Sequence, residues 1–100
     1  MFKSIILPRA KEDIRQAAKW YSKKSPRLSK RFTAEVRDTV RHIKQNPKAS
    51  SIRYDQVRTA VLNIFPFMVH YTVDEFNTTV VITSVFHTSR DPELLEKKTD

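Results

Sequence analysis

Arg58, His87 and Arg90 are the side chains of this 100-residue chain whose types suit chemistry on a phosphate. Cleavage of RNA by its own 2′-hydroxyl needs no metal. It needs cations beside the scissile phosphate and groups that move protons, roles that His, Tyr, Lys and Arg fill. Arg58 falls near the start of one strand-like run, His87 and Arg90 at the end of another, and Tyr54, His70 and Tyr71 lie in the same half. Each also has a plainer explanation. Arg58 can pair with Asp74, His87 can bond a nearby backbone group, Arg90 can pair with Asp91 or Glu93, and His70 between Met68 and Thr72 suits a locally satisfied histidine. Without cysteine there are no disulfides, thiol nucleophiles or thiolate metal sites, and no residue is assigned to a metal or a cofactor.

The elements that must position these residues follow from periodicity. Phe2 to Leu7 is rich in Ile, Leu and Phe and stops at Pro8, which predicts a short strand. Ala10, Ile14, Ala17, Ala18 and Tyr21 recur at helical spacing, with Lys11, Arg15, Lys19 and Lys23 elsewhere on the cylinder, which predicts a helix to Lys24. Ser25-Pro26 reads as an N-cap and first position of a second helix striped by Leu28, Phe32, Val36, Val40 and Ile43 and ended at Asn46-Pro47. Trp20, Tyr21, Phe32 and Phe67 are expected as core or hairpin contacts rather than stacking platforms.

From Ile52 the period becomes two. Val57 to Leu62 and Phe67 to Val73 alternate, Asp74 to Thr78 is turn-rich, and Val80 to Phe86 is apolar on both faces, which places it inside a sheet beside the N-terminal strand. Asp91-Pro92 opens a charged tail expected to form a helical turn or two. The whole predicts one α+β domain over residues 1–100: a helical hairpin packed on one face of a small antiparallel sheet, in the order β-α-α-β-β-β with a short C-terminal tail.

The charge is lopsided. Residues 1–50 hold 14 Lys and Arg against 4 Asp and Glu, whereas residues 51–100 hold 5 against 7. Such a field favours an anionic partner without choosing among nucleic acid, ribosome and acidic protein. Met1 to Leu7 is too short for the apolar region of a signal sequence and no apolar run could cross a bilayer, so a cytoplasmic protein without a membrane partner is expected.

Four segments, in order, carry a likeness: Pro8-Arg9-Ala10-Lys11-Glu12-Asp13-Ile14, Arg31-Phe32 with Asn46-Pro47, Phe65-Pro66-Phe67-Met68-Val69-His70-Tyr71, and Val85-Phe86-His87-Thr88-Ser89-Arg90-Asp91-Pro92. Together they resemble the RelE/ParE toxin family of bacterial type II toxin–antitoxin systems over almost the whole chain. The resemblance implies growth inhibition and a cognate antitoxin, expected as an extended or helical acidic segment with apolar anchors. It leaves the target open, because RelE-like toxins cleave messenger RNA on the ribosome whereas ParE-like toxins inhibit DNA gyrase. A member that binds its antitoxin and poisons nothing is a third reading. Arg58 is the only cation from Val57 to Phe86 and no Tyr follows Tyr71, a departure from the ribosome-dependent pattern, and the ending His87-Thr88-Ser89-Arg90-Asp91 looks more like the ParE-like branch. Under the RelE-like alternative, Arg58, His87 and Arg90 are the catalytic positions to carry over. Replacing His87 or Arg90 by alanine then removes RNA cleavage from a folded protein; unchanged cleavage in both variants excludes those assignments.

Overall fold

The structure, a computed structural model, describes residues 1–89. Its elements are β1 (Lys3–Ile6), α1 (Pro8–Lys24), α2 (Pro26–Gln45), β2 (Ile52–Tyr54), β3 (Val57–Val61), β4 (Phe67–Asp74) and β5 (Thr79–His87). The two helices cover one face of a sheet ordered β1-β5-β4-β3-β2. The tail expected from Asp91 onward lies outside the described residues.

The sheet has one strand more than the sequence predicts. Asp55 and Gln56, at φ 42° and 67°, make a two-residue turn that folds Ile52–Tyr54 back on β3. Such turns usually advertise themselves by glycine, which bears positive φ without steric cost, and this turn has none. The extra strand also changes the sheet's parity. The helical hairpin returns the chain to the end of the sheet where β1 finished, so three further strands would leave the last one antiparallel to β1. Four reverse it once more, and β1 pairs with β5 in parallel, Lys3 opposite Thr79 through Ile6 opposite Ile82. The sheet is therefore mixed at this edge and antiparallel elsewhere.

Helix boundaries follow the prolines. Pro8 ends β1 and is also the first residue of α1, two residues before the predicted start, because its missing N–H is one that a helix N-terminus leaves unused. Pro47 holds Asn46 out of helical geometry, so α2 ends at Gln45. Ser25 joins the helices, but by its backbone: its N–H bonds Tyr21 O at 2.9 Å and its carbonyl accepts Leu28 N at 3.1 Å, while its hydroxyl caps neither helix.

The facing sides of helices and sheet form the core. Ala10, Ala17, Phe32, Val36, Val40 and Ile43 bury against Val69, Tyr71, Val80, Ile82 and Val85. At one end the rings of Tyr21, Phe32, Phe65 and Phe67 pack mostly edge to face, with centroids 4.9–6.2 Å apart. At the other, the buried Tyr71 hydroxyl donates to Pro47 O at 2.7 Å and ties β4 to the end of α2.

Two helix carboxylates complete this docking. Asp13 accepts the Val85 N–H at 3.0 Å, beyond the point where β1 has ended and left that side of β5 without a neighbour. Glu35 accepts the N–H groups of Asn63, Ile64 and Phe65, each at 3.1 Å, so one side chain fixes the loop between β3 and β4. Consecutive N–H groups in a loop form a concave anion site, and α2 fills it from within the molecule. Glu35→Ala is expected to lower unfolding free energy by about 2 kcal/mol, the scale of charged hydrogen bonds lost with their donors left behind. Urea denaturation checks this; a midpoint equal to that of the unaltered chain overturns it.

Candidate functional site

The residues singled out for phosphate chemistry occupy different places. Arg58 stands opposite Tyr71 and His87 opposite Phe67, four residues apart on β4. That separates them by about 13 Å along the strands and by two strand spacings across them. Arg58 is half-buried near the end of α2, where its guanidinium donates to Ser50 O rather than pairing with Asp74. His87 is exposed at the end of β5, its ring edge-on to Phe67 at 5.3 Å. The Ser89 N–H lies 3.1 Å and its hydroxyl 2.9 Å from His87 Nδ1. Arg90 lies outside the described residues.

Tyr54 and His70, by contrast, meet. Their cross-strand neighbours place His70, Ser84, Met68 and Phe86 on the sheet face turned away from the helices. The Tyr54 hydroxyl bonds His70 Nδ1 at 3.1 Å, and Phe86 stacks edge-on to the imidazole at 5.0 Å. Arg9 lies over the other part of this cluster, its guanidinium carbon 5.2 Å from the Phe86 centroid. His70 is 0% exposed and its Nε2 has no hydrogen-bond partner among the described residues. Burial, reinforced by the positive charges of Arg53 and Arg9, lowers its pKa from 6.5 to about 4. A neutral imidazole sealed in this way is a structural group rather than a proton shuttle to a bound phosphate. The sequence contained the residues but no sign of the bond, which spans 16 positions and depends on the unpredicted strand β2.

Trp20, expected as a core or hairpin contact, is not part of the core. It is 55% exposed, with its ring edge against Tyr21 at 5.0 Å and Lys24 Nζ 4.9 Å from the ring centroid. It borders a groove of about 550 Å³ between α1 and the end of β5, whose walls include Tyr21, Lys24, Phe67, Phe86 and His87. Tyr21 and Phe32 are buried and Phe67 is half-buried, as expected. Asp13, Lys24 and His87 also line this groove, but Asp13 is bonded to the Val85 N–H, and the apolar walls suit an anchor of a partner protein. These residues also include no cluster of His, Asp and Glu able to hold a metal, and no helix long and apolar enough to cross a membrane.

The His70 environment predicts a pH dependence. The unfolded chain takes up the proton near pH 6.5 and the folded chain only near 4. Stability from this group is thus fully present above 6.5 and lost as pH falls through that interval, by roughly 3 kcal/mol in all. Urea titrations over the acidic range should show this slope, and His70→Gln should flatten it; parallel curves for the two proteins overturn the assignment.

Comparison with known proteins agrees with this architecture. The chain has the fold of a chain from the chromosomal ParDE TA system of P. aeruginosa, with TM-score 0.75 at 18% identity over 87% of this chain and 96% of that one. It is also similar to the isolated E. coli RelE toxin, with TM-score 0.63 at 15% identity over 99% of this chain and 97% of that one. A chain of the intact E. coli RelBE complex matches with TM-score 0.62 at 13% identity, over 90% of this chain and all of that one. No curated protein matches at the sequence level. The sequence profile of the ParE toxins of type II toxin–antitoxin systems, however, matches residues 5–92, and the chain belongs to that family.

Proposed function

We propose that this protein is a toxin that acts by binding DNA gyrase in the cytoplasm, and that a cognate antitoxin holds it inactive. The observation that carries the reading is the ParE family match across residues 5–92. The site geometry agrees in kind. A gyrase inhibitor needs surfaces rather than assembled chemistry, and this chain offers a basic helical layer and a groove bordered by an exposed Trp20. Long-range attraction raises the rate at which such a protein meets an anionic surface, and apolar contacts then hold it.

The alternative, a metal-independent nuclease acting on ribosome-bound messenger RNA, requires cations and a proton-transfer group around one phosphate. Arg58 and His87 stand about 13 Å apart along the strands and two strand spacings apart across them, with Arg58 bonded to Ser50 O. His70 is closed off.

The test is induction of the chain without its antitoxin, combined with a supercoiling assay on purified gyrase. Early DNA-damage signalling in cells and loss of supercoiling in vitro are expected, with transcripts intact over the same period. Prompt transcript cleavage with normal supercoiling replaces this reading by the nuclease, and undisturbed growth replaces it by a chain that binds its antitoxin without harming the cell.

A further inference from the structure

Charge is segregated across the helical layer. The carboxylates of Asp13 and Glu35 lie on its inner side, where they accept N–H groups of the sheet and the β3–β4 loop. The outer side is basic. In α2, Arg27, Lys30, Arg31, Arg37 and Arg41 recur at helical spacing and are exposed, on the side of the cylinder opposite the buried Phe32, Val36 and Val40. Lys11, Arg15, Lys19 and Lys23 form the corresponding exposed stripe of α1, which packs beside α2. The acidic residues on this side, Glu12 and Asp38, are paired with Arg15 and Arg41. The other cations of the two stripes have no ion pair among the described residues. Apart from the proline that opens each helix, the exposed apolar residues of the layer are Ala34 and Trp20, and Trp20 borders the groove beside β5.

We infer that the outer side of the helical hairpin binds the sugar-phosphate backbone of duplex DNA. Under the gyrase reading, on which this role rests, it holds the DNA that gyrase engages, and the groove at Trp20 remains for contact with the enzyme itself. Three properties fit that occupant. A protein partner is held by buried apolar anchors, which this side lacks, whereas a polyelectrolyte is held by charge and the release of its counterions. The stripe from Arg27 to Arg41 runs about 21 Å, the length of about six base pairs. Two stripes side by side make a broad surface rather than one protruding helix. Such a surface meets the backbone and not the base edges, so its binding carries no sequence preference.

The experiment follows the fluorescence anisotropy of a labelled duplex of about 20 base pairs as the full chain is added at several salt concentrations. Binding on the order of micromolar is expected at low salt, equal for unrelated sequences, with log K falling against log salt at a slope of about −5. The triple variant Lys19→Gln, Arg27→Gln, Arg31→Gln should bind at least about tenfold more weakly and lose about 2 to 3 from that slope. The triple variant Lys3→Gln, Lys48→Gln, Arg53→Gln removes the same charge from exposed positions outside the layer and should change Kd by less than about threefold. Glutamine is a good helix former, and thermal melts confirm that both variants fold. No duplex binding at low salt, equal losses in the two triple variants, preference for one DNA sequence, or an RNA duplex bound more than about tenfold tighter than DNA overturns the inference. Supercoiling assays separate it from the gyrase reading. The helix variant should need at least about fivefold more protein for the same inhibition, while its binding to DNA-free gyrase is unchanged. A chain that binds duplex DNA through this side and leaves gyrase active keeps the surface and loses the gyrase role. Equal inhibition by the helix variant and the unaltered chain keeps gyrase as the target and overturns the role given to the surface.

Discussion

Backbone groups left over by the sheet must be satisfied, and this requirement ties the structure together. β5 outruns β1, and the β3–β4 loop presents three N–H groups with no strand to receive them. Val85 and Phe65 are buried, so their N–H groups would be costly without partners, whereas those of Asn63 and Ile64 lie at the surface. The helices answer with Asp13 and Glu35, whose carboxylates reach the sheet 72 and 28 positions away. Packing alone would let two apolar helices slide on an apolar sheet; these bonds fix where they sit. The grooves on either side of the helical layer inherit their shape from that placement.

The same constraint separates structural from available chemistry. His70 and Tyr71 are adjacent in sequence and turn to opposite faces, one toward Tyr54 and the other toward Pro47. Both are spent on holding the sheet's neighbours in place. His87 and Trp20 remain at the surface, together at the first groove, and the cations of α2 remain beside the second. What the fold keeps accessible is thus apolar surface framed by positive charge, which suits recognition of a macromolecule better than turnover of a small one.

The mixed sheet matters for this division. Here the N-terminal strand pairs with β5 in parallel and, among the described residues, has no strand on its outer side. The opening lies next to α2, the element with the strongest segregation of apolar and charged residues along its length. Edge and cations come together because β1 and α2 meet in space across α1.

The sequence by itself determined both helices, the strands from Val57 onward, the placement of Phe2 to Leu7 beside the last strand, and the family. Each rests on a local signal: apolar spacing, a proline, or a motif of a few residues. It determined nothing about β2, because Asp55 and Gln56 adopt positive φ without glycine, and the held geometry comes from the pairing of Tyr54 with Val57 rather than from either residue's preference. Missing that strand also concealed the parallel edge. The site was legible as a set of residue types and no further. Only the tertiary structure decided that Arg58 and His87 part company, that His70 is sealed by Tyr54 and Phe86, and that Trp20 faces outward. Distances between strands and the burial of a titratable ring depend on contacts between residues far apart in the chain, and local periodicity contains no term for them.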